Sequence, residues 1–264
     1  MEQLRIGLLQ MDLSWEDPQA NRAAIQQLLA GQVGRFDLLV LPEMFTTGFT
    51  MNAAAVAEEP DGFTEQWMAA VAEGLNCVVV GSIVVKEEDK YHNRLIVATH
   101  AGTAMTYDKR HLFRMAGEHE VYTPGNTMNV FNLRGWRVLP LVCYDLRFPI
   151  WSRNRLQDDG SLYYDVLVYV ANWPERRAHH WKSLLTARAI ENQAYVVGVN
   201  RVGTDANGNT YSGDSVVLDP LGMTLVAASG KGNLLTATLD RESLDSYREK
   251  FPAWQDADRF DLYS

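Results

Sequence analysis

Three apolar runs of strand length in this sequence end alike. Asp37-Leu38-Leu39-Val40-Leu41 runs into Pro42-Glu43, Val138-Leu139-Pro140-Leu141-Val142 into Cys143-Tyr144-Asp145, and Asp165-Val166-Leu167-Val168-Tyr169-Val170 into Ala171-Asn172-Trp173-Pro174. Short apolar runs closed by turn residues read as strands buried on both faces. Each of these stops abruptly at a polar or reactive side chain, which places chemistry at strand ends. Side chains just past the carboxyl ends of strands in an α/β sheet converge on one crevice. Glu43, Cys143 and Asn172 are therefore expected to meet there, on the condition that their strands lie close together, since three strands of one sheet need not be neighbours.

The rest of the chain alternates in the same manner, which predicts an α/β fold. Arg5–Gln10 is followed by the amphipathic stretch Pro18–Ala30, and Asp37–Leu41 by Phe63–Glu73. Cys77–Val85, Arg94–Thr99 and Tyr195–Asn200 are further strand-length runs, Ala178–Asn192 reads as a helix, and a helix is expected from Asp145. Asp17 can cap the first helix, and Pro18 suits its first position, where a missing N–H is harmless. In the last third, Ser215–Leu218, Leu221–Val226 and Leu234–Leu239 are separated by Asp-Pro-Leu-Gly and Ser-Gly-Lys-Gly turns, which predicts antiparallel hairpins. No linker, repeat or low-complexity tract interrupts residues 1–264, so one domain is expected.

Charge excludes several function classes. The 24 Lys and Arg residues stand against 33 Asp and Glu, a net charge of −9 without a basic tract. Such a surface does not attract nucleic acid or an anionic membrane. No apolar run approaches the roughly 18 residues that span a bilayer. The start has no signal or transit character, and the cytoplasm is the expected location. Cys77 and Cys143 form no CxxC pair, so no zinc framework is expected. Gly230-Lys231-Gly232 lacks the spacing of a phosphate loop.

Cys143 sits where a strand turns into the next element and free backbone N–H groups point outward. Such a turn favours a thiolate and can hold a developing oxyanion. A small buried hydrophobe is the alternative, and the one that fits Cys77. A thiol nucleophile needs a base. None of the six histidines closes an apolar strand as Glu43 does, and a carboxylate beside that surface has the character of a general base. A merely solvated glutamate is the competing reading. Lys109, amid Tyr107-Asp108-Lys109-Arg110-His111-Leu112, reads locally as a solvated loop lysine.

Taken together, Leu41-Pro42-Glu43-Met44-Phe45, Tyr107–Leu112 and Leu141–Pro149 resemble, in order and spacing, the motifs of the nitrilase superfamily of carbon–nitrogen hydrolases. The likeness continues through Ala171–Pro174, Arg188–Asn192, Asn200–Gly203 and Tyr211–Ser215. It implies a four-layer α-β-β-α sandwich, usually dimeric, with Glu43, Lys109 and Cys143 as catalytic triad and no metal or organic cofactor. Glu118 resembles the family's frequent second glutamate, although Glu120 lies close by. Phe45, Tyr144, Arg147, Asn172 and Trp173 form the implied substrate-binding set.

Cys143-Tyr144-Asp145-Leu146-Arg147-Phe148-Pro149 is similar to the omega-amidase branch, which hydrolyses the terminal amides of 2-oxoglutaramate and 2-oxosuccinamate. Met44–Phe49 resembles its bacterial members. Arg147 adds a physical argument for an acidic substrate, because a cation in a helix's first turn opposes the dipole and calls for an anionic partner. Either a substrate carboxylate or Asp145 would serve. Other substrates within the superfamily, an N-carbamoyl amine or an aliphatic amide, remain alternatives. So does a catalytically silent binding protein. Arg188 and Glu191 are spaced for an i,i+3 pair, Trp181 suits core or interface, and the aromatic tail Phe251–Ser264 is expected to pack on a neighbouring subunit.

Overall fold

Leu4, Ile6 and Leu8 share one face of the first strand, while Leu9 points to the other, and each face meets a different core. This period-two alternation, repeated by Leu38 and Val40 against Leu39, layers the molecule. The computed structural model describes residues 3–258, 260 and 262. In chain order the first half contains β1 (Gln3–Gln10), α1 (Pro18–Leu29), β2 (Leu38–Val40), α2 (Ala53–Val56), α3 (Phe63–Leu75), β3 (Val78–Glu87), β4 (Lys90–Thr99) and β5 (Gly102–Asp108). There follow α4 (Glu118–Val121), β6 (Phe131–Leu133), β7 (Trp136–Val142), β8 (Val166–Ala171), α5 (Ala178–Asn192) and β9 (Tyr195–Asn200). The remainder comprises β10 (Val202–Thr204), β11 (Thr210–Ser212), β12 (Val216–Leu218), β13 (Thr224–Ala227), β14 (Asn233–Asp240) and α6 (Arg241–Lys250).

Two six-stranded sheets, ordered β14-β1-β2-β3-β4-β5 and β13-β12-β9-β8-β7-β6, pack face to face through a core that draws on both. The helices α1 and α3 cover the outer face of the first sheet through Ile25, Leu29, Trp67 and Met68. On the second sheet α5 lies against β9 at Gly198, where an added Cβ would come within 2.6 Å of Leu185 and 2.9 Å of Trp181. The expected α-β-β-α sandwich is thus realised. Asp17 accepts a hydrogen bond from the Ala20 N–H at 2.9 Å, and Pro18 opens α1 as expected. The β7–β8–β9 core is parallel and buried on both faces, which explains its continuous apolar runs.

Three expectations are corrected. The strands ahead of Glu43, Cys143 and Asn172 belong to two sheets: β2 lies in the first, while β7 and β8 are neighbours in the second. Convergence therefore happens across the sandwich. The helix expected from Asp145 is a five-residue 3-10 turn, Cys143–Arg147, too short to carry a macrodipole argument. In the last third β12 and β13 form the expected hairpin, but β14 crosses to the other sheet and pairs antiparallel with β1. Of the tail, Arg259, Asp261, Tyr263 and Ser264 lie outside the described residues.

Candidate active site

Glu43 is aimed by the turn that follows β2. Met44 adopts φ +43°, its N–H donates to Ser82 Oγ at 2.9 Å, and the Gly48 N–H closes back on the Met44 carbonyl at 2.8 Å. The carboxylate is fully buried and far from solvated. Its Oε1 accepts from Lys109 Nζ at 2.8 Å and Asn93 Nδ2 at 2.9 Å, and its Oε2 from the Asn172 backbone N–H at 2.8 Å. Asn172 Nδ2 also donates to the Glu43 carbonyl at 2.6 Å, joining the ends of β2 and β8 across the two sheets.

Lys109 directly follows β5 and, against the local reading, is buried. Its ammonium bonds both oxygens of Glu118, at 2.9 and 3.0 Å, and lies 5.0 Å from the Phe49 ring centroid. Burial alone would favour the neutral amine, but Glu118 and Glu43 outweigh it and hold the lysine charged well above the ordinary range. Burial raises the Glu118 pKa, with Lys109 opposing and Glu43 adding to the rise. Geometry also separates the two neighbouring glutamates: Glu118 grips Lys109, whereas the Glu120 side chain is 76% exposed.

Cys143 directly follows β7 with φ +43°, a left-handed conformation that costs a non-glycine residue about 1–3 kcal/mol and is retained where the surroundings enforce it. The enforcement comes from Asp145 in the same turn. Its Oδ2 accepts from the Val142 N–H at 3.0 Å and Tyr107 Oη at 2.8 Å, and its Oδ1 from the His111 N–H at 3.0 Å. Buried Arg188 donates to the Leu146 carbonyl at 2.7 Å, as well as forming the expected pair with Glu191 at 2.7 Å. Cys143 lines the same cavity as Glu43, Lys109 and Asn172.

The expectation that the turn favours a thiolate is not met. Burial, and then the nearby Glu43 charge, push the Cys143 pKa well up, with Lys109 opposing. The resting group is a neutral thiol beside a carboxylate. Cys77 is pushed up to about 12 by burial, in keeping with a structural role.

Glu43, Lys109 and Cys143 line a cavity of about 610 Å³. Tyr144, Arg147, Asn172 and Trp173 line it, as do Phe49, Phe113 and Arg177. Phe45 does not: it is fully buried behind the first sheet, with its ring 5.9 Å from Trp67, because the turn at Met44 directs Glu43 inward and Phe45 to the opposite side. The aromatic wall on that segment comes from Phe49. Arg147 is not paired with Asp145. Its guanidinium lies 4.7 Å from the Trp173 ring centroid and meets His180 Nδ1 at 3.0 Å. Among the described residues no histidine lines the cavity, and no group of three or more His, Cys, Asp or Glu is arranged to hold a metal ion. Sequence reasoning missed Asn93, whose signal is an amide at the head of the apolar run Leu95–Ala98.

The carbon–nitrogen hydrolase family pattern matches residues 5–249. The chain belongs to that family. It is 51% identical to the omega-amidase YafV of Escherichia coli (strain K12), over the full length of both chains. It is 34% identical to the 2-oxoglutaramate amidase of Bacillus subtilis (strain 168), covering 98% of each chain. A solved CN-hydrolase superfamily protein from Xanthomonas campestris, carrying an arsenic adduct in its active site, superposes with a TM-score of 0.97 at 44% identity, over all of both chains. The resemblance read from the three motifs is borne out, and so is the sandwich it implied.

Proposed function

We propose that the protein is an omega-amidase, hydrolysing the terminal amide of 2-oxo dicarboxylic acid monoamides such as 2-oxoglutaramate to the dicarboxylate and ammonia. The observation that carries this reading is a buried Glu43–Lys109 ion pair against the Cys143 thiol, beneath a cavity wall bearing Arg147 without a carboxylate partner among the described residues. The names of the bacterial relatives support the substrate class.

In the mechanism that this arrangement supports, Glu43 takes the Cys143 proton as the sulfur attacks the amide carbon. The raised pKa of the resting thiol makes an adjacent base necessary. The carbonyl electrons move to oxygen, and the Lys109 ammonium with the Tyr144 N–H stabilises the oxyanion; N–H groups in the first turn of a helix have no intrahelical acceptor. Collapse breaks the carbon–nitrogen bond, and Glu43 passes the proton to departing ammonia. A thioester remains on Cys143. Glu43 then removes a proton from water, whose oxygen adds to the acyl carbon, and the second collapse releases the acid and restores the thiol. Glu118 keeps Lys109 charged and in place. The chemistry calls on no metal or organic cofactor.

On this reading residues 1–264 form one carbon–nitrogen hydrolase domain working in the cytoplasm. Among the described residues no helix is long and apolar enough to cross a membrane. The chain pairs with a second copy, and the exposure of Phe251, Phe260, Leu262 and Ile150 supports that pairing.

The test is a panel of 2-oxoglutaramate, 2-oxosuccinamate, glutamine, an N-carbamoyl amino acid and a neutral aliphatic amide, scored by ammonia release. The 2-oxo acid amides should have the highest kcat/KM. Cys143→Ala should abolish turnover without lowering the melting temperature. A higher kcat/KM for the neutral amide, or activity in the variant, would defeat the proposal.

A further inference from the structure

The buried arginines elsewhere in this protein, Arg94, Arg188, Arg201 and Arg248, are each matched to a carboxylate, and several half-buried ones are too. Arg5 pairs with Asp37, Arg94 with Asp108, Arg188 with Glu191 and Arg201 with Asp12, while Arg137, Arg241 and Arg248 share Asp165. The cavity wall is different. Arg147, Arg176 and Arg177 line it, and among the described residues none of the three makes an ion pair with an Asp or Glu side chain. The acids nearby are engaged otherwise. Asp205 accepts from the Asn207 and Asn209 N–H groups and from Tyr211 Oη, and Glu16 is held by Thr50 and Asn52. The first turn of α5, which begins just after Arg177, carries no acidic residue.

Arg177 is nonetheless held in place. Its N–H donates to the Pro174 carbonyl at 2.9 Å, its carbonyl accepts from Trp173 Nε1 at 2.8 Å, and its guanidinium lies 5.2 Å from the Phe113 ring centroid. Arg147 is fixed in the same style over Trp173, the residue that also anchors Arg177. Arg176, by contrast, is exposed. Burial, then Arg176 and Arg147, lower the basicity of the Arg177 guanidinium, and Arg177 lines the same cavity as Cys143. Cationic groups lining one cavity repel each other, and a bound anion relieves that repulsion.

We propose, resting on the reading of the protein as a hydrolase of 2-oxo acid amides, that Arg177 is a specificity-determining residue which, together with Arg147, grips the carboxylate and 2-oxo oxygen of the substrate. Two guanidinium groups held over two aromatic rings of one cavity suit a planar 2-oxo acid, whose oxygens present acceptors on both edges. The grip leaves the distal amide free to reach Cys143.

The experiment measures kcat and KM for 2-oxoglutaramate and for pentanamide in the wild type, Arg177→Ala, Arg177→Lys, Arg147→Ala and the Arg147→Ala/Arg177→Ala double variant, with melting temperatures for each. Arg177→Ala should lower the ratio of the two kcat/KM values at least about tenfold, mainly through KM for the 2-oxo acid amide. Lysine should restore part of the ratio, because it keeps the charge without the planar fork. The double variant should lose less than the product of the single losses, since both arginines hold one anion. An unchanged ratio, or an equal fall on both substrates, would overturn the assignment. A wild-type enzyme that favours pentanamide would instead overturn the reading of function, and that measurement needs no variant.

Discussion

Cys143 and Glu43 depend on each other electrostatically as well as chemically. Burial first, and then the carboxylate that would accept the thiol proton, keep the resting sulfur neutral, because a thiolate beside Glu43 would place two negative charges in a buried site. The Glu43→Gln variant separates these effects. Loss of the base should lower kcat by about 10²–10⁴-fold. Loss of the charge should lower the Cys143 pKa, so alkylation by iodoacetamide, followed against pH, should set in at lower pH than in the wild type. An alkylation profile that stays put or moves to higher pH would show that Glu43 does not govern the thiol.

At the scale of elements, the site is a junction between the end of β5 and the 3-10 turn after β7. Asp145 makes the junction, accepting from Val142 and Tyr107 and holding His111, two residues beyond Lys109. The His111 ring stacks on Phe148 at a centroid distance of 3.8 Å, and Trp151 Nε1 donates to Tyr107 Oη at 3.0 Å. Asp145→Asn keeps the shape and removes the charge and half of the accepting capacity. We expect about 1–3 kcal/mol of lost stability in urea unfolding. Misplacement of the sulfur should also lower kcat by up to about 10²-fold while Cys143 remains present. Undiminished kcat in a destabilised variant would limit Asp145 to holding the fold.

For the whole molecule, the buried Asp165 carboxylate is the tie between α6 and the second sheet. It receives Arg137 from β7 and Arg241 and Arg248 from α6, each within 3.2 Å. Burial would raise its pKa, but the arginines outweigh it and hold Asp165 below the usual carboxylate range. A depressed native pKa means that the stabilisation is complete above the ordinary aspartate value and is lost as pH falls through the native one. Asp165→Asn should therefore cost about 3–5 kcal/mol at pH 7. In urea titrations the gap to the wild type should narrow below about pH 4; a constant gap would mean that the charge is not the cause. Deleting residues 251–264 tests the proposed pairing of chains, with a fall in solution mass from dimer to monomer expected.

Much of this was legible in the chain itself. Apolar runs that stop at Glu43, Cys143 and Asn172 show local strands and their ends, because burial on both faces leaves an unbroken apolar signature. The order and spacing of three motifs identified the family and marked Lys109, which local composition alone reads as solvated. What required the tertiary structure was everything set by contact across the sandwich. That Glu43 faces Asn172 from the opposite sheet, that Phe45 turns away while Phe49 enters the cavity, and that β14 pairs with β1 depends on residues far apart in sequence. Asn93 and Arg177 escaped notice for the same reason. An amide on a strand or a cation before a helix looks ordinary until the partners that surround it, or fail to, are known.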